Sequence, residues 1–110
     1  MKKVCIIDDN QGDAYLLSEL LEGKFDVTLI NPSKKILESL EVDYDIYFID
    51  INMGALSGYD TLRYVPSGKK VYMISGMARD YLNSVKETLS DKISGVLSKS
   101  NLEEELCQVI

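Results

Sequence analysis

Apolar residues along this chain fall into two patterns that take turns. Short runs rich in β-branched and aromatic residues read as five strands: Val4-Cys5-Ile6-Ile7, Val27-Thr28-Leu29-Ile30, Ile46-Tyr47-Phe48-Ile49, Val71-Tyr72-Met73-Ile74 and the weaker Gly95-Val96-Leu97. Four of them run continuously rather than alternating, the pattern of parallel strands covered on both faces. Between the runs, apolar residues recur at helical spacing. The stripes are Ala14, Leu17 and Leu21; Ile36, Leu37 and Leu40; Leu62 and Val65; Leu82, Val85 and Leu89; and Leu102, Leu106 and Val109. Local signals bound these helices. Gly23 can close the first, and Asn31-Pro32 suits an N-cap and first helical position of the second. Ser57 with Asp60, and Ser100 with Glu103, have capping-box spacing, while Pro66 stops the third helix early.

Strand and helix thus alternate five times. Right-handed crossovers turn that pattern into an α/β fold, (βα)5, a doubly wound parallel five-stranded sheet with helices on both faces. With no internal repeat or linker, residues 1–110 are expected to form one domain, without an output domain.

Composition narrows the function. The chain has 12 basic and 18 acidic residues, a formal net charge of −6, which argues against nucleic-acid binding. It has no histidine, so a Ser-His-Asp or Cys-His pair, an imidazole base and a histidine metal ligand are all excluded. Cys5 and Cys107 stand far apart in sequence and make no disulfide framework. The apolar run after Met-Lys-Lys is too short for a signal peptide or a membrane span, so a cytoplasmic protein without membrane insertion is expected.

In open parallel sheets ligands bind beyond the carboxyl ends of the strands. The residues standing there are Asp8-Asp9 after the first strand, Asp50 after the third, Ser75-Gly76 after the fourth and Lys99 after the fifth. Strand two ends in Asn31-Pro32, which suits an outer strand. Each polar residue also has an ordinary structural use. Asp8-Asp9 suit a helix N-terminus, Ser75 ends a strand as serine often does, and Lys99 fits a solvated tip. The set of acids converging on one sheet edge favours a site. Cys5 reads as inert core, Met53, Met73 and Met77 as packing and loop residues, and Glu103-Glu104-Glu105 as a solvated first helical turn.

The constellation resembles the receiver domain of two-component response regulators, over residues 2–110. Its carriers are Ile6-Ile7-Asp8-Asp9-Asn10, Phe48-Ile49-Asp50-Ile51-Asn52-Met53, Gly58, Ile74-Ser75-Gly76 and Gly95-Val96-Leu97-Ser98-Lys99. The resemblance implies a flavodoxin-like receiver fold and a phospho-acceptor switch of a phosphorelay rather than a turnover enzyme. Asp50 would be the nucleophile that takes a phosphoryl group from a phosphohistidine of a histidine kinase or histidine phosphotransfer protein. Mg2+ would be bound by Asp9, Asp50 and the backbone carbonyl of Asn52, with Asp8 acting through water. Lys99 and Ser75 would serve the phosphoryl oxygens, with the Gly76 amide and Asn52 beside them.

Three positions depart from the family pattern. Ser100 follows Lys99 where proline is common, so a trans bond is expected there. Met53 is followed by Gly54 rather than proline, and Val96 stands where an aromatic ring often couples to the hydroxyl residue. Without that ring, the loop of residues 76–79 is expected to carry most of the signal. A downstream protein would dock on the face of the fourth helix, fifth strand and fifth helix, which includes Tyr81, Ser84, Val96, Glu104 and Cys107. Two rivals follow: a degenerate receiver-like scaffold that binds partners without phosphorylation, and an aspartyl-phosphate phosphatase. Asn52 cannot supply the proton that the phosphatase takes from a second Asp.

Overall fold

The structure is a computed structural model, and it describes residues 1–33, 35, 37, 44–52 and 57–110. Five strands form where the apolar runs fall: β1 (Lys3–Ile7), β2 (Asp26–Ile30), β3 (Ile46–Asp50), β4 (Lys70–Ser75) and β5 (Gly95–Ser98). All pair in parallel, in the order β2-β1-β3-β4-β5. The chain steps outward in opposite directions from β1, so a crevice opens beyond the carboxyl ends of β1 and β3. Register places Ile7 beside Ile49 and Asp50 beside Ile74, which brings the residues that follow these strands to one edge.

Four helices lie wholly within the described residues: α1 (Gln11–Leu21), α2 (Gly58–Leu62), α3 (Arg79–Thr88) and α4 (Leu102–Val109). Side chains alternate across the strands and feed two separate cores. Val4, Ile6, Phe48, Ile74 and Leu97 pack with Ala14, Leu17 and Leu21 of α1 and with Leu102 and Leu106 of α4. Cys5, Ile7, Tyr47, Ile49 and Met73 pack on the other face with Leu82 and Val85 of α3 and with Leu37. Burial on both faces explains the unbroken apolar runs of β1, β3 and β4. The expectation fails for β2, whose Thr28 and Leu29 are exposed because it is the sheet edge.

Caps decide where the helices begin. Asn10 opens α1 by accepting the Asp13 N–H at 3.1 Å, and Gly23 follows the helix with φ +85°, a conformation open to glycine at little cost. Ser57 caps α2 by accepting the Asp60 N–H at 3.1 Å and donates its hydroxyl to the Asp60 carboxylate at 3.0 Å. The box expected at Ser100 and Glu103 does not form. Ser98 instead accepts the Ser100 N–H at 3.2 Å, residues Lys99–Asn101 make a 3-10 turn, and α4 starts at Leu102. That tight turn accommodates the trans Lys99-Ser100 bond. Helix α2 ends at Leu62 and so is as short as Pro66 requires, with Val65 in the turn beyond it. Leu89 is the C-cap of α3 rather than its last helical residue.

Of the second predicted helix, Leu37 is buried and its N–H donates to the Ser33 carbonyl at 2.9 Å. Ile36, Leu40, Met53 and Gly54 lie outside the described residues. No helix among the described residues is long and apolar enough to cross a membrane.

Candidate functional site

The crevice beyond β1 and β3 gathers the acids. Asp8 follows β1 directly and is 8% exposed; Asp50 closes β3 and is 4% exposed. Asp9 is exposed beside them. Asp8, Asp9 and Asp50 each bring a carboxylate oxygen within 4.8 Å of the others'. Gly58 makes room for this arrangement. A Cβ at that position would lie 2.6 Å from the Asp50 carbonyl oxygen and 2.8 Å from the Ile51 Cα, so a larger residue would push α2 off the end of β3.

Lys99 reaches the acids from the end of β5. Its Nζ donates to Asp8 Oδ2 at 3.3 Å, to Asp50 Oδ2 at 3.3 Å and to Asp13 Oδ2 at 2.7 Å. Burial works against the ammonium charge, but the hydrogen bond to Asp13 and the charges of Asp8 and Asp50 outweigh it and raise the lysine. Asp8 is pushed up to about 6, mainly by burial and further by Asp50, although the Asn10 N–H at 2.9 Å and Lys99 oppose the shift. An acid so raised records a crowded, partly desolvated negative cluster.

Ser75, fully buried at the end of β4, joins the site through Asn52. Asn52 donates its side-chain amide to Ser75 Oγ at 3.3 Å and its backbone N–H to Asp50 Oδ1 at 3.3 Å. Ser75 Oγ also accepts the Met77 N–H at 3.0 Å, which fixes the start of the loop leading to α3. Gly76 is exposed, and a Cβ there would meet no protein atom within 4 Å. Crowding by the protein therefore does not require glycine at that position.

Every sequence-predicted site residue thus lies at this edge of the sheet. Two other residues went unforeseen. Asp13 occupies the first turn of α1, where an acid has a sufficient explanation as a dipole partner. Glu105 counted as part of a solvated turn, yet it is half-buried and accepts the Ser98 N–H at 3.2 Å and the Arg79 guanidinium at 2.7 Å. Its signal in the sequence is faint: in an acidic triplet, only the third residue comes one helical step before Leu106. Of the residues expected on a docking face, Ser84, Glu104 and Cys107 are exposed and Tyr81 and Val96 half-buried.

Cys5 is fully buried, and burial pushes its thiol up to about 12, as inert core requires. A separate cleft of about 520 Å3, lined by Tyr59, Arg63, Pro66, Lys69 and Lys92 among others, contains none of the clustered acids.

Three buried or clustered acids, one lysine and a hydroxyl stand together at the switch point of a parallel sheet, an oxygen-donor set of the kind a hard cation takes. Residues 4–110 match the sequence profile of the response regulator receiver domain. The chain belongs to that family. The receiver is 32% identical over 83 residues to a transcriptional regulatory protein, the CpxR homolog of Haemophilus influenzae, covering 73% of this chain and 37% of that one. It therefore spans about a third of the length of that curated relative. Its backbone is similar to that of the Vibrio cholerae chemotaxis protein CheY4, with a TM-score of 0.77 at 17% identity over 100% of this chain and 99% of the other. It is also similar to a Burkholderia pseudomallei response regulator solved with a phosphorylated aspartic acid, calcium ion and citrate. That match has a TM-score of 0.75 at 20% identity and covers 97% of the receiver and 65% of the Burkholderia chain.

Proposed function

We propose that Asp50 is the phospho-acceptor of a two-component phosphorelay, charged by a phosphohistidine on a histidine kinase or histidine phosphotransfer protein. One observation carries this reading: the buried Asp50 carboxylate lies 3.3 Å from the Lys99 ammonium, with Asp8 and Asp9 at its side. In the transfer, a carboxylate oxygen of Asp50 bonds to phosphorus as the phosphorus–nitrogen bond to the imidazole breaks. The electron pair leaves on that nitrogen, and because the other ring nitrogen of the phosphohistidine carries a proton, the departing imidazole is neutral. Nothing in this chain needs to act as a base, which suits a sequence without histidine.

The other residues neutralise and position. Lys99 offers its ammonium to the phosphoryl oxygens, Ser75 its hydroxyl, and Gly76 and Asn52 flank the group. The clustered acids fit Mg2+, which takes hard oxygen donors; Asp9, Asp50 and the Asn52 backbone carbonyl would hold it, with Asp8 behind them. Bound there, the ion would offset the mutual repulsion of the carboxylates and the charge of the phosphoryl oxygens. The phosphorylated aspartic acid and calcium ion in the Burkholderia regulator support this reading on a shared fold.

Output would pass by docking of a downstream protein on the face of α3, β5 and α4. A scaffold that never takes a phosphoryl group is not favoured, because the acids and Lys99 are assembled rather than scattered. The test is intact-mass analysis of wild type and Asp50→Asn after incubation with acetyl phosphate and Mg2+. One phosphoryl group should add to the wild type alone. No adduct on the wild type, from acetyl phosphate or from a phosphohistidine donor, would return the scaffold reading to first place.

A further inference from the structure

An ammonium group has three N–H donors, and Lys99 directs all three at carboxylates. The shortest of these bonds, 2.7 Å, goes to Asp13 rather than to either acid at the strand ends. The three partners differ in what they lose on release. The Asp8 and Asp50 side chains are 7% and 5% exposed, so withdrawing the lysine would leave a buried negative charge unbalanced. The Asp13 side chain is 43% exposed and can be solvated by water once released. A cavity of about 30 Å3, about the volume of one water, adjoins the pair and is bounded by Asp8, Asp13, Leu16, Ile74, Lys99 and Leu102.

We propose that Asp13 is a positioning residue for phosphoryl transfer: it holds the Lys99 ammonium toward α1 in the resting receiver and yields it to the incoming phosphoryl oxygens. The inference rests on the reading of Asp50 as acceptor. A phosphoryl group replaces the single carboxylate charge of Asp50 with close to two on its own oxygens, and because all three Lys99 donors are engaged, the lysine's share must come from a bond already made. The bond to the half-exposed acid is the one lost at least cost. Asp13 thus competes with the phosphoryl group for one lysine, and sets how readily the site accepts it.

The test is titration of wild type and Asp13→Asn with beryllofluoride and Mg2+, followed by amide chemical shifts. The substitution leaves in place the backbone N–H that Asn10 accepts in capping α1. Asp13→Asn should bind the mimic about fivefold more tightly, at low and at high salt alike. In the unaltered protein, the side-chain carboxyl carbon of Asp13 should shift on adding beryllofluoride with Mg2+, and stay put with Mg2+ alone. That second readout depends on no substitution. Equal or weaker affinity in Asp13→Asn would overturn the proposal. So would a gain abolished by high salt and matched by Glu103→Gln, which would mark a long-range charge effect, or a stationary Asp13 carboxyl signal. A wild type that takes neither beryllofluoride nor a phosphoryl group would bring down the acceptor reading and this inference together. A wild type that takes both while Asp13→Asn behaves identically would remove this inference alone.

Discussion

Burial and the neighbouring Asp50 raise the Asp8 carboxyl to about 6 from an ordinary value of 3.8. Below about pH 4 the group is protonated in folded and unfolded chains alike, so it carries no penalty. Between 3.8 and about 6 the unfolded chain gives up its proton while the folded one keeps it, and stability falls as pH rises. Above about 6 the whole penalty is present. In metal-free protein, Asp8→Asn should therefore be more stable than wild type by ~1–3 kcal/mol at about pH 7, with the gain shrinking toward zero near pH 4. Lys99 keeps Asp13 and Asp50 as partners in that variant, which limits the loss. Thermal unfolding in the presence of a chelator across this range measures it. A variant less stable than wild type at neutral pH would mean that the Lys99 pairing outweighs the repulsion.

The segment between β4 and α3 begins at Ser75, whose hydroxyl accepts the Met77 N–H, and reaches Arg79, whose guanidinium grips Glu105 of α4. Glu105 also holds the Ser98 N–H, one residue before Lys99. A serine hydroxyl drawn toward a phosphoryl group would give up Met77, and the displaced loop has a direct link to the last helix. Val96, stiff and without a ring, is not needed for it. The expectation that residues 76–79 carry the signal thus gains a partner that the sequence did not reveal. Beryllofluoride with Mg2+ should shift amides of residues 76–79 and of α4 in wild type. Glu105→Gln should confine the change to the loop. A quiet loop with large changes centred on Val96, or an α4 response that survives Glu105→Gln, would contradict this route. What hid Glu105 is physical: an acid in a first helical turn is already accounted for by the dipole, and its bond to a strand N–H depends on how that helix sits on the sheet.

Alternation of apolar runs with helical stripes was enough to read the doubly wound sheet, because burial on both faces writes itself into β1, β3 and β4 as unbroken apolar sequence. The acids were legible for a related reason: a charged residue directly after a buried strand has few other uses. Less legible was what depends on position within the assembled sheet. The edge strand β2 shares the composition of its neighbours, so its exposure follows from strand order and not from its own residues. Asp13 meets Lys99 across a separation of 86 residues, through the docking of α1 over the sheet end. All of these contacts converge on the central claim that Asp50 takes the phosphoryl group, and borohydride reduction tests it most directly. An acyl phosphate is reduced to the corresponding alcohol, so receiver charged by acetyl phosphate and Mg2+, then reduced and sequenced by tandem mass spectrometry, should carry homoserine at position 50 and at no other aspartate. Homoserine at Asp8, Asp9 or Asp13, or at none, would contradict it.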